Sequence, residues 1–143
     1  MDNLLDLYQY AEDHSIDVDW IPMQRASSLS VVLPDGSCSI ALDQWKMNTV
    51  EKELVCLAHE LEHCETGSFY NRRSSFDVRQ KHENRADKWA IKKLISEDEL
   101  DQAIADGYTD LWSLADHFGV TEDFMRKVVC WYTHGNLATD LYF

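Results

Sequence analysis

The chain reads as a small α+β domain. Three observations predict it. Apolar residues recur at helical spacing through most of the sequence, and two short β-type runs flank the turn Pro34-Asp35-Gly36-Ser37. In addition, 45% of the 143 residues are apolar and 11% aromatic, which excludes disorder, collagen-like repeats and coiled coil. The length suits one domain. A chain of this size buries roughly 68–70% of its unfolded surface.

The elements follow in order. Leu4, Leu5, Tyr8 and Ala11 lie on one face of an opening helix over residues 3–13. Ile16, Val18 and Trp20 alternate with Asp17 and Asp19, a short strand that Pro22 ends. The runs Leu29–Leu33 and Cys38–Leu42 form a hairpin, so the sheet is expected to be short and antiparallel. Asn48 or Thr49 caps a helix reaching about Glu65, and Gly67 to Ser75 reads as loop. A long helix follows from about Asp77 to Ile95, then Ser96 and Glu99 make a capping box for another. Two shorter helices over about 110–118 and 121–132 precede a tail without pattern. The single domain 1–143 thus divides into a core (1–107), a helical pair (108–132) and a tail (133–143).

Charge narrows the partners. Thirteen basic against 26 acidic residues give −13, a surface that repels nucleic-acid phosphates. Residues 72–93 are the exception, with eight Lys/Arg and three Asp/Glu. The longest unbroken apolar runs, Leu54–Ala58 and Val128–Tyr132, are five residues each, too short to cross a bilayer. The start, MDNLLDLYQY, is acidic where a secretory leader is positive, which predicts a cytoplasmic protein. Cys38, Cys56, Cys64 and Cys130 make no CxxC pair, and reduced, buried thiols are expected.

The chemistry concentrates in His59-Glu60-Leu61-Glu62-His63. Four residues apart on a helix, His59 and His63 lie about 40° apart around the axis and one turn along it, within reach of one metal ion. Glu60 stands beside them as a base for a water in the site. This is the HExxH pattern of zinc peptidases. With six His and ten Glu in 143 residues, chance supplies only about 0.02 such matches. On a wheel that puts Val50 at 0°, Leu54, Leu57, Ala58 and Leu61 fall within about −20° to 80°. The histidines fall at about 180° and 220°, bracketed by Val55 and Cys56, where an ordinary amphipathic helix carries Lys and Glu. Something must cover that second face.

Zinc needs a third protein ligand and an open position for water. On the long helix, Glu83 at 0° shares a small-residue apolar face with Ala86, Ala90 and Leu94, while Lys81, Arg85, Lys88 and Lys92 gather on the other side. An acid on such a face needs a partner, which a metal supplies. Glu83 is therefore the candidate third ligand, against a plain salt bridge as the alternative. His82 is the runner-up, turned about 100° away, and Cys56, three residues before His59, is a remote candidate. Asp87, one turn beyond Glu83, is placed to accept the free N–H of a liganding histidine. The basic stripe reads as a solvated helix back or a dock for an acidic partner. Trp89, Trp112, Trp131 and Tyr132 are expected in the core.

A rival signal lies near the C-terminus. Residues 111–128 read as a helix-turn-helix, with Ala115 early, Gly119 at the turn and Thr121 capping the second helix. That second helix opens with Glu122 and Asp123, and residues 108–143 carry −3. A helix entering a phosphate-lined groove should not begin so, which favours a structural or protein-docking pair.

Taken in order, His59-Glu60-Leu61-Glu62-His63, then Glu83-Asn84-Arg85-Ala86-Asp87-Lys88-Trp89-Ala90, then Leu114-Ala115-Asp116-His117-Phe118-Gly119-Val120-Thr121 resemble the ImmA/IrrE family of small metallopeptidases over about residues 1–132. The resemblance implies a zincin-like fold, a small sheet with the HExxH helix behind it. It implies Zn2+ held by His59, His63 and Glu83 in gluzincin manner, with Glu60 as catalytic base. It also implies a substrate. Such proteins are commonly encoded by phages and mobile elements beside a helix-turn-helix repressor that they cleave, an anti-repressor role. Glu62 departs from the family, where Gly often stands; at about 120° on the wheel it is expected to point outward, away from the zinc. Tyr70, Tyr108 and His134 are the candidates for stabilising an oxyanion. The reading is a cytoplasmic zinc endopeptidase with a protein substrate and no direct nucleic-acid or membrane partner. The alternative is a regulatory binding module that docks a repressor or DNA and holds a structural metal.

Overall fold

The computed structural model describes residues 2–67 and 75–143. The elements are α1 (Leu4–Asp13), β1 (Asp17–Trp20), β2 (Ser28–Val32), β3 (Cys38–Leu42), α2 (Val50–Thr66), α3 (Phe76–Leu94), α4 (Glu97–Ala105), α5 (Leu111–Phe118) and α6 (Glu122–His134), with a final 3-10 turn at Thr139–Leu141. The chain is α+β, as its sequence predicts. Local chemistry sets most of the boundaries. Asn3 and Asp6 form a capping box for α1, Thr49 caps α2 through Lys52 N, and Ser96 with Glu99 boxes α4. Gly119, at φ 68°, ends α5 in the left-handed conformation that only glycine adopts cheaply, and Thr121 then caps α6.

The hairpin forms as expected, β2 antiparallel to β3 with Ser30 opposite Ile40. The sheet as a whole is mixed rather than antiparallel, because β1 joins the far side of β3 in parallel, Val18 opposite Ile40. The residues between β1 and β2 carry the chain across β3, which gives the order β1-β3-β2 and makes β2 an edge strand. Cys38, Ile40 and Leu42 alternate inward along β3 and are buried.

Helix α2 lies on this inner face with Leu54, Leu57, Ala58 and Leu61 almost wholly buried, the stripe that the wheel identified. Its other side meets α3, where Ala86 and Ala90 have no appreciable exposure and let the two helices approach closely. Helix α6 docks on α3 with Met125 and Val128 fully buried, and Tyr132 Oη donates to Ile95 O at 2.6 Å. Trp89, Trp131 and Tyr132 pack on the core, but Trp112 is 64% exposed. It sits on the outer side of α5, whose inward residues are Leu114, Ala115 and Phe118.

The expectation of reduced thiols fails at one pair. Cys38 at the start of β3 and Cys64 in the last turn of α2 form a disulfide, their Cα atoms 5.6 Å apart. Packing α2 across the sheet brings those two ends together, an adjacency that cysteine spacing does not show. Cys56 and Cys130 are free thiols, each held above its usual pKa by burial.

Candidate metal centre

One turn of α2 separates His59 from His63, and their Nε2 atoms face each other at 3.3 Å. From α3, Glu83 enters the same space. Its Oε2 lies 2.7 Å from His59 Nε2 and its Oε1 3.5 Å from His63 Nε2. One donor atom from each of the three residues falls within 4.8 Å of the others, a group able to hold a metal ion. Two ligands about 2.05 Å from a zinc ion at a tetrahedral angle would sit about 3.3 Å apart, the separation of the two Nε2 atoms, whereas Glu83 Oε2 and His59 Nε2 stand at hydrogen-bond distance. Two imidazoles and a carboxylate also match the ligand chemistry of that ion.

The far nitrogens of both histidines meet carboxylates. His59 Nδ1 is 3.3 Å from Asp87 Oδ1, while Asp87 Oδ2 is held at 3.1 Å by Lys127 Nζ from α6. Burial alone would lower the His59 pKa, but its hydrogen bonds to Asp87 and Glu83 outweigh that and push it up to about 10. A metal arriving on Nε2 would displace this proton. Behind His63 stands Glu62, and here the wheel misled. Glu62 does not point outward; it is 0% exposed. Thr66 Oγ1 donates to its Oε1 at 2.6 Å, and its Oε2 lies 3.7 Å from His63 Nδ1 without a hydrogen bond of its own.

Glu60 is 7% exposed, on the side of α2 that faces β2. Ser28 Oγ donates to its Oε2 at 2.7 Å and Ser30 Oγ to its Oε1 at 2.8 Å. The base candidate is therefore adjacent to the candidate metal ligands in sequence yet separately anchored, by the sheet.

The family model of the IrrE N-terminal-like domain matches residues 11–128. The chain belongs to that family. Its members are of metallopeptidase type, in keeping with the His59, His63 and Glu83 group. Among curated proteins and among solved structures, none matches the chain.

In this IrrE-like chain, a groove of about 360 Å³ opens beside His59, lined by Ser28, Cys56, Gln80, Glu83 and Lys127. Cys56 reaches the groove but is not in the metal-ligand group, and neither is His82. Of the oxyanion candidates, Tyr70 lies outside the described residues. Tyr108 stacks on His117 at 4.2 Å and His134 on Tyr142 at 3.7 Å, both away from the groove lining. Sequence reasoning missed Ser28, Ser30 and Lys127. The serines alternate on β2 and so share one face, which was a readable signal; that this face meets Glu60 was not. Lys127 stands 40 residues from Asp87, and only the docking of α6 on α3 joins them.

No helix among the described residues is long and apolar enough to cross a membrane.

Proposed function

We propose that this chain is a zinc-dependent endopeptidase that hydrolyses a peptide bond of a protein substrate. His59, His63 and Glu83 are its metal ligands, Glu60 its base, and Asp87 the group that orients His59. The convergence of three metal-ligating donors within 4.8 Å of one another, with a fourth acid held apart from them by the sheet, carries the reading. Three protein ligands leave a tetrahedral ion one open position, the mark of catalytic rather than structural zinc. That favours an enzyme over a binding module with a closed metal site.

When bound, the zinc supplies a Lewis acid that activates water and polarises the scissile carbonyl. Glu60 takes the proton of the attacking water and later delivers it to the leaving amine nitrogen. Asp87, itself fixed by Lys127, accepts from His59 Nδ1 and keeps Nε2 turned inward. The substrate lies along the outer edge of β2. Leu33 N donates to Ser37 O and Asp43 N to Ser27 O, so by antiparallel alternation the main-chain groups of residues 28 and 30 point away from β3. An extended peptide can pair there, beside the groove. The family resemblance points to a helix-turn-helix repressor, encoded on the same genetic element, as the protein that supplies this peptide.

Glu60→Gln keeps size and polarity but cannot act as a base. Incubation of wild type and variant with such a repressor, with and without chelator, is read by gel and mass spectrometry alongside zinc content. Cleavage should be lost by at least ~10²-fold in the variant, with zinc retained. Undiminished, chelator-resistant cleavage would sink the mechanism.

A further inference from the structure

We infer that Ser28 and Ser30 are positioning residues for Glu60, and that through them the strand that receives substrate also aims the base. The inference rests on the proposed peptidase reading. The two hydroxyls each take a different oxygen of one carboxylate, at 2.7 and 2.8 Å. A single donor leaves a carboxylate free to swing about its last torsion. Two donors, one on each oxygen, fix its plane. Because residues two apart on a strand project to the same side, Ser28 and Ser30 supply this pair without distorting the sheet. Neither hydroxyl is on α2, so the helix that carries Glu60 does not set the orientation of its carboxylate by itself.

The backbone of the same residues faces elsewhere. In the register Ser28 opposite Leu42 and Ser30 opposite Ile40, both residues occupy the non-hydrogen-bonded pairs. Their N–H and C=O groups turn to the open edge, while Leu29 and Val31 bond inward to β3 and expose their side chains on the other face. Each serine thus presents its main chain to a paired peptide and its side chain to Glu60. A peptide hydrogen-bonded along this edge fixes the very residues that hold the base, so binding and orientation of the base are coupled through two side chains. A leucine or valine at either position would still make the strand, and would lose the link.

The test compares Ser28→Ala/Ser30→Ala with Ser28→Thr/Ser30→Thr, and Glu60→Gln serves as the reference. With the outward backbone unchanged, KM should move less than about threefold, whereas kcat should fall by roughly 10–100-fold in the alanine pair. Threonine keeps the hydroxyl and suits a strand, so it should restore most of kcat. Zinc content should match wild type in all three. A second readout needs no metal and no turnover: a double-mutant cycle on the denaturant stability of the metal-free protein. The cost of the alanine pair should shrink markedly when Glu60 is already alanine, because the hydroxyls then have no carboxylate to hold. Wild-type kcat in the alanine pair while Glu60→Gln is dead would overturn the inference and spare the peptidase reading. So would an additive cycle, or an alanine loss that appears in KM alone. Full activity of Glu60→Gln would instead remove the base reading, and this inference with it.

Discussion

His59 carries a carboxylate on each nitrogen, Glu83 at Nε2 and Asp87 at Nδ1, and so has one orientation available to it. His63 has the buried Glu62 on its far side, with an oxygen 3.7 Å from Nδ1. Liganding histidines usually donate their second N–H to a carboxylate, and losing that partner typically costs 10–100-fold in metal affinity. The expected outcome is that Glu62→Gln and Asp87→Asn each weaken zinc binding by roughly that factor, while keeping the fold. Competition titration against a chromophoric chelator measures both. An unchanged affinity for Glu62→Gln would mean that His63 is oriented by something else. The structure brings His59, His63, Glu83 and Asp87 together because each is fixed by the periodicity of a single helix plus one small-residue interface. Glu62 was read wrongly for the complementary reason. At about 120° it lies on neither the sheet face nor the histidine face of the wheel, and a wheel holds no record of what closes over the gap.

Between elements, the same division holds. Hairpin, helix starts and helix ends are written in local chemistry: a Pro-Asp-Gly-Ser turn, Ser or Thr caps, glycines after α2, α5 and α6. Parallel addition of β1 is not, since it depends on where a connection crosses the sheet. Nor is the Cys38–Cys64 bridge, which pins the first residue of β3 to the turn of α2 that follows His63. A cross-link spanning 26 residues restricts the unfolded chain by roughly 3–4 kcal/mol on the loop-entropy estimate. Reduction, or Cys38→Ser with Cys64→Ser, should lower the unfolding free energy by about that much. Urea unfolding with and without a strong reductant reads it directly. If the reduced and oxidised proteins unfold at the same midpoint, the bridge contributes nothing to the fold. Metal content measured on the same samples shows how far the position of α2 depends on it.

For the whole molecule, charge decides whether the helical pair α5–α6 works on nucleic acid. The chain carries −13, and the cations of residues 72–93 are not gathered on that pair but on α3 and the residues before it. Of the stripe, Lys81, Arg85 and Lys92 are exposed, whereas Lys88 lies over the Trp131 ring at 4.9 Å. On α6 itself, Arg126 is taken up by Asp123 at 2.6 Å and Lys127 by Asp87 at 3.1 Å. The helix also begins with Glu122 and Asp123, so its N-terminus meets an approaching phosphate with two acids that already satisfy its dipole. Each phosphate neutralised would have to be offset against this local repulsion. The protein should therefore show no saturable binding to random duplex DNA at low salt, up to roughly 10⁻⁴ M, the weak end of ordinary non-specific affinities. Fluorescence anisotropy is the measurement. Glu122→Lys with Asp123→Lys removes the barrier and should create weak binding that fades as salt rises, with a slope reflecting about two added contacts. Tight, salt-sensitive binding by the unaltered chain would reverse the assignment, because the α5–α6 pair would then be a reader of DNA and the metal centre its appendage.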